Sequence, residues 1–134
     1  MGKLIEQSRG EVKLCGQIAR YYANNAQKFL APVSYESSLG EAWVEHHPIG
    51  VLMAVEPWNF PFYQLMRVLA PNLAAGNPVV VKHASIVPHC AEAFEKLVHE
   101  AGAPKGPIPT CIFPGSGGQH HRRRSGARCG ADRF

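Results

Sequence analysis

Leu14, Ile18, Tyr21, Tyr22, Ala26, Phe29 and Leu30 recur at close to helical intervals, which predicts one amphipathic helix over residues 6–30 with that set facing inward. Pro32 ends it soon after Leu30. Asn24 and Asn25 weaken it locally. Gly10 and Gly16 each cost up to about 1 kcal/mol relative to Ala, so the helix depends on tertiary support. Ser37, Ser38 and Gly40 are turn formers. Residues Ala42 to His47 read as a strand or one arm of a hairpin, and Pro48-Ile49-Gly50 as a turn. Val51 to Val55 is a continuous apolar run, the pattern of a parallel strand covered on both faces. Phe62 to Ala75 is predicted helical, with Leu65, Val68, Leu69 and Leu73 inward, Pro61 just before or at its first turn and Pro71 expected to bend or interrupt it. Gly76-Asn77 stops that helix. Pro78 to Lys82 is a second short buried strand. Pro88 opens a helix to about Ala101 that turns Ala91, Phe94, Leu97 and Val98 inward. Ile108 to Phe113 is a third strand candidate, followed by a glycine loop at 114–118.

From residue 51 the order is strand, helix, strand, helix, strand, which implies an α/β fold with a parallel sheet and crossover connections, preceded by a long helix. Three strands are few for such a sheet, and the helix expected after the third does not follow. The chain therefore reads as part of a larger domain.

The length, 134 residues, suits one domain. The net charge of +4 is unevenly placed: residues 120–134 carry five arginines and one aspartate, whereas the other 119 residues carry nine basic residues and nine glutamates. The body is thus neutral, which argues against a nucleic-acid partner. The composition breaks at the tail, and the expected division is 1–118 as the ordered portion and 119–134 as a basic tail. A basic interaction arm that binds nucleic acid would have this composition, as would an out-of-frame or appended extension. The abruptness of the break favours the extension.

Cys15, Cys90, Cys111 and Cys129 form no CxxC pair, and the His46-His47 and His120-His121 pairs lack neighbours at ligand spacing. Neither a disulfide framework nor a metal site is expected. No apolar run reaches membrane-spanning length and no signal-peptide stretch opens the chain, so a cytoplasmic location without membrane association is expected.

Candidate chemistry gathers at the ends of the predicted strands, where open α/β sheets bind ligands. Glu56-Pro57-Trp58-Asn59-Phe60-Pro61 follows the first buried strand directly. Two prolines would hold Trp58, Asn59 and Phe60 rigid. Asn59 could aim its amide at an oxygen that gains charge, or simply cap the following helix. Lys82 ends the second buried strand and either reaches an anionic or polar ligand or extends its head into solvent. His83 and Ser85 share its loop. Arg67 lies near the inward stripe of its helix, where it suits a carboxylate ligand or forms part of the helix surface. Gly115-Ser116-Gly117-Gly118 matches neither GxGxxG nor a phosphate-binding loop.

Pro57-Trp58-Asn59-Phe60-Pro61 and Gly76-Asn77-Pro78-Val79-Val80-Val81-Lys82-His83-Ala84-Ser85, together with Leu4 to Glu11, resemble the N-terminal, cofactor-binding part of the NAD(P)-dependent aldehyde dehydrogenase superfamily. The resemblance runs from about Leu4 to Gly118. It implies an incomplete Rossmann-like parallel sheet. It also implies that Asn59 contributes to an oxyanion hole, that Trp58 lies beside the cofactor, that Lys82 contacts the adenosine ribose, and that Phe60 lies on the substrate side. Ser85 stands where NAD-preferring members usually carry Glu. A small hydroxyl there leaves room for a 2′-phosphate, so NADP, or dual use with NAD, is expected. Arg67 matches the substrate-carboxylate arginine of the succinate-semialdehyde dehydrogenase branch, which implies a small aldehyde bearing a remote carboxylate.

The resemblance also implies a nucleophilic cysteine and a water-activating glutamate, and both belong to later parts of such proteins. None of the four cysteines stands in a matching context. The chain is therefore expected to be inactive alone, as a truncated or frameshifted copy. Trp43, Val44 and the turn before them resemble the family's interdomain or oligomerisation segment. With an unfinished sheet edge, self-association or docking to a full-length relative is expected.

Overall fold

The computed structural model describes residues 1–103. The Ile108–Phe113 strand, the glycine loop, Cys111, Cys129 and the basic tail lie outside the described residues. The element order is α1 (Ile5–Leu30), β1 (Val33–Tyr35), β2 (Ala42–Val44), β3 (Leu52–Val55), α2 (Tyr63–Ala74), β4 (Val79–Lys82) and α3 (Pro88–Glu100). β3 and β4 pair in parallel, Leu52 opposite Val79 through Val55 opposite Lys82, with α2 as their crossover. β1 and β2 form a separate antiparallel pair, Val33 opposite Val44. The hairpin arm expected over Ala42–His47 is thus a three-residue strand.

The core joins Ala54, Leu65, Leu69, Val79, Val81 and Phe94, with Phe62, Met66, Val68, Leu73 and Val98 packed against it. Helix α3 contributes Ala91, Phe94 and Val98, whereas Leu97 is exposed rather than inward. The face of α3 that reaches the core is the one shared by Ala91, Phe94 and Val98, at spacings of three and four, and Leu97 falls beside it.

Two-face burial of β3 is not observed. Ala54 is buried and Leu52 half-buried, but Met53 and Val55 are each 64% exposed, and Val51 precedes the strand. The core lies on one side of the β3–β4 pair, and among the described residues no layer covers the Met53 and Val55 side.

Helix α1 likewise departs from its expected stripe. Its buried residues are Glu11 and Cys15, whereas Leu14, Tyr21 and Phe29 are exposed. The helix packs on α2 through its first half. Beyond that, Tyr21 meets Tyr22 edge-on and leans on Phe29, so these rings cluster on the helix surface.

Pro71 does not interrupt α2, which continues to Ala74. The last turn is held by its C-terminal cap: Gly76 N–H donates to Leu73 O and Asn77 N–H to Asn72 O, the Schellman pattern. Gly76 has φ of +83°, which favours glycine, and a Cβ there would crowd the Pro48 ring, with 3.0 Å to its Cγ. Asn77 is buried and its Oδ1 accepts from Ile49 N–H at 2.7 Å and Gly50 N–H at 3.2 Å. This one side chain fastens the turn before β3 to the start of β4. The C-terminal end of α3 repeats the pattern, with Gly102 N–H to His99 O and Ala103 N–H to Val98 O.

Candidate cofactor crevice and the loop beside it

The parallel register brings the carboxyl ends of β3 and β4 side by side, and Glu56 N–H extends the ladder to Lys82 O at 3.0 Å. Beyond that last bond the two chains diverge, one into Pro57-Trp58 and the other into Ala84-Ser85. Between them opens a crevice of about 620 Å³ lined by Val55, Glu56, Pro57, Trp58, Lys82, Ala84, Ser85 and Ile86. Three sequence-predicted residues, Trp58, Lys82 and Ser85, therefore meet in one place. Trp58 is 55% exposed, which leaves its ring free to lie against a ligand. Lys82 is half-buried at the strand end, and Ser85 is exposed.

Asn59 and Phe60 do not line this crevice. They border a second one of about 390 Å³, with Lys3, Gln7, Gly10, Glu11 and Leu14 of the α1 side. The Pro57–Pro61 loop is thus a partition, with Trp58 on one side and Asn59 and Phe60 on the other. Arg67 is exposed on α2 and lines neither crevice.

Asn59 does not cap α2. The N-cap position is Phe62, whose side chain makes no cap. Glu11 of α1 caps from outside: its Oε1 accepts from Phe62 N–H at 2.7 Å and Tyr63 N–H at 2.9 Å. A carboxylate at that end of a helix also complements the helix dipole. Its Oε2 pairs with Lys3, and Lys3 Nζ donates to Asn59 O at 2.9 Å and sits 3.8 Å from the centre of the Phe60 ring.

His83 ties the two strand-end loops together. It is 2% exposed; Ala84 N–H donates to its Nδ1 at 2.9 Å, which in the neutral ring leaves Nε2 as the donor to Pro61 O at 2.9 Å. Glu56 lies nearby. Burial pushes its carboxyl above the usual carboxylate range, and the opposing influence of His83 and Arg67 is smaller.

Sequence reasoning passed over Glu11, Lys3 and Asn77 as site-forming residues. For Glu11 a signal existed: it stands one helical turn before Cys15, on the face that α1 buries.

Cys15 and Cys90 are not activated. Burial raises the Cys15 thiol, with the Glu11 carboxylate adding to it, and burial followed by Glu11 raises Cys90. A catalytic thiolate needs the opposite environment. Among the described residues, no group of three or more His, Cys, Asp or Glu is placed to hold a metal ion, and no helix is long and apolar enough to cross a membrane.

The model of the aldehyde dehydrogenase family matches residues 1–121. This chain belongs to that family. Within it, the chain is 47% identical over 106 residues to the NADP-dependent succinate-semialdehyde dehydrogenase of Deinococcus radiodurans, covering 79% of this chain and 22% of that protein. It superposes on the crystal structure of succinic semialdehyde dehydrogenase from Streptococcus pyogenes in complex with NADP+ with a TM-score of 0.78 and 55% identity, over 81% of this chain and 24% of that one. A betaine aldehyde dehydrogenase point mutant from Staphylococcus aureus in complex with NAD+ is 31% identical with a TM-score of 0.74, over 80% of this chain and 22% of that one. The chain therefore spans about a quarter of the length of these aldehyde dehydrogenases. Its likeness is to the succinate-semialdehyde dehydrogenase branch, and its βαβ unit and leading helix are an incomplete portion of the Rossmann-like cofactor domain.

Proposed function

We propose that this chain carries the first portion of the cofactor site of an NADP-preferring, succinate-semialdehyde dehydrogenase-like enzyme. The observation that carries this reading is the meeting of Trp58, Lys82 and Ser85 in one crevice at the carboxyl ends of two parallel strands. The donor chemistry fits a dinucleotide. Trp58 offers an exposed ring, Lys82 a cation at the strand end for ribose hydroxyls or a phosphate, and Ser85 a small side chain where a carboxylate would repel a 2′-phosphate. When bound, the nicotinamide cofactor supplies the hydride acceptor for oxidation of an aldehyde to its acid. From the same loop as Trp58, the Asn59 amide would donate to the oxygen that gains charge, with Phe60 beside the aldehyde. Arg67 is exposed and forms no salt bridge among the described residues, which suits recognition of a remote carboxylate. Residues 1–118 would be the portion of this domain present, and 119–134 an appendage to it. The thiol chemistry of such an enzyme is assigned to none of this chain's described cysteines.

The test is competitive binding of 2′,5′-ADP and 5′-AMP, the adenosine ends of NADP and NAD, followed by calorimetry. The reading requires the 2′-phosphate to tighten binding, and Ser85→Glu to reverse the preference by about tenfold or more, since a carboxylate would then face that phosphate. Equal binding of the two, with no change in Ser85→Glu, overturns the cofactor preference.

A further inference from the structure

The Asn59–Phe60 segment is held by a group that belongs to neither strand of the sheet. Lys3 precedes α1 by two residues, and its Nζ makes three contacts at once: Glu11 Oε2, the main-chain carbonyl of Asn59 at 2.9 Å, and the face of Phe60 at 3.8 Å. Its side chain is 9% exposed, and that of Glu11 is 1% exposed. Glu11 in turn accepts from Phe62 and Tyr63 N–H. Both carboxylate oxygens are therefore committed, and the cation that neutralises the buried charge is the one that holds the loop. On the other side, Pro61 O accepts from His83. The loop is gripped at Pro61 by His83, the residue after β4, and at Asn59 and Phe60 by Lys3, just before α1, while Trp58 and Asn59 are left to line the two crevices.

The geometry points to Lys3 and Glu11 as positioning residues for the 57–61 loop: through the Asn59 carbonyl, the Phe60 ring and the first turn of α2, they set the direction in which Asn59 and Trp58 are presented. This assignment rests on the reading of those two residues as site residues. Neither Lys3 nor Glu11 touches the cofactor crevice. Glu11 acts through Lys3 and the α2 amides. Lys3 acts on the main chain of Asn59, whose carbonyl orientation fixes the peptide that follows it. A methylene chain without the charge, as in Lys3→Met, keeps the packing on Phe60 but loses the donor. Glu11→Gln keeps one carbonyl oxygen to cap α2 but loses the ion pair.

The experiment is NMR of the isotopically labelled full chain with Lys3→Met, Glu11→Gln and Glu11→Ala. Expected in Lys3→Met are a displaced Asn59 carbonyl resonance, displaced Phe60 ring resonances and broadened or doubled Asn59 side-chain amide signals, while the Phe62 and Tyr63 amides stay protected from exchange. Glu11→Ala should add a loss of that protection of about five- to tenfold, which Glu11→Gln largely restores. Unchanged Asn59 and Phe60 resonances in Lys3→Met, or unchanged Phe62 and Tyr63 exchange in Glu11→Ala, overturn the assignment. A merely structural role would lower the melting temperature and leave those local resonances in place. The same samples are titrated with NADP+. Wild-type binding that weakens severalfold in Lys3→Met, and to a smaller degree in Glu11→Gln, extends the positioning role to Trp58, whereas binding unchanged in Lys3→Met overturns that extension. Absence of wild-type binding removes the cofactor reading alone, since the loop resonances report on Lys3 without any nucleotide. Should Glu11→Ala fail to fold, Lys3→Met and Glu11→Gln decide the question.

Discussion

The antiparallel pair β1–β2 and the parallel pair β3–β4 each hold two strands of three or four residues, yet their surroundings are opposite. Every residue of β1 and β2 is exposed, including Trp43 at 58% and Tyr35 at 58%. In β4, Val79 and Val81 are buried, and helices α2 and α3 close over them. The ladder bonds are of the same kind in both pairs. What differs is that two helices bury apolar area against one of them. A two-stranded pair with no covered face is marginal in water, whereas a βαβ unit covers its own strands with its own crossover. The candidate crevice stands on the second kind of pair, where the strand ends are held in register by a core.

Truncating the core should have the largest effect on this contrast. Phe94 is 5% exposed and stacks on Phe62 with ring centroids 6.4 Å apart. Phe94→Ala should cost about 3–5 kcal/mol in urea unfolding, enough to release the β3–β4 unit. A loss below about 1 kcal/mol would mean that the unit does not depend on this packing. His83→Leu should come next. It leaves Pro61 O without its partner in a buried place and Ala84 N–H without one in a partly buried place, at about 1–3 kcal/mol, and it should loosen the Pro57–Pro61 loop while hydrogen exchange in β4 itself stays slow.

A smaller effect concerns Glu56 and is one of sign. Burial raises its carboxyl above the ordinary value, ahead of the opposing influence of His83 and Arg67. A carboxyl whose folded value is raised favours the protonated fold, so its contribution is fully present below the unfolded value and is lost as pH rises through the folded one. Glu56→Gln should therefore remove a decline in stability between mildly acid and neutral pH, and leave stability unchanged well below the ordinary carboxylate value. A steeper decline in the variant would contradict the burial argument. The smallest effect belongs to the exposed pair. Trp43 donates from its indole to Glu45 at 2.9 Å but lies at the surface, so Trp43→Ala should shift the unfolding free energy by less than about 0.5 kcal/mol. A loss comparable to that of Phe94→Ala would show that the hairpin is covered in solution, as self-association through that segment would require.

Much of the element order is legible along the chain because proline and glycine mark its boundaries. Pro88 opens α3, Gly76 and Gly102 close α2 and α3, and Pro32 follows α1, each because φ is restricted or must be positive there. The meeting of Trp58, Lys82 and Ser85 was also readable, since Lys82 ends one of two strands that pair in parallel and Trp58 and Ser85 each lie three residues beyond a strand end. The inward faces were less so. The apolar residues of α1 that recur at helical spacing include Tyr21 and Phe29, both exposed, while the charged Glu11 is buried. Periodicity marks which face could be buried, but what lies opposite decides where burial occurs.

Local chemistry in the sequence by itself determined the helices, the short apolar strands and the two loops that carry Trp58, Asn59, Lys82 and Ser85. Backbone restriction and side-chain period act over a few residues and need no distant partner. Only the tertiary structure decided that one face of β3 is left exposed among the described residues, that Asn59 faces the α1 side rather than the crevice lined by Trp58, and that the cap of α2 comes from Glu11, 51 residues before the amide it holds. The first follows from a core packed on one side of the β3–β4 pair, and the other two from a buried carboxylate that must find its cation and its donors wherever the fold brings them within reach.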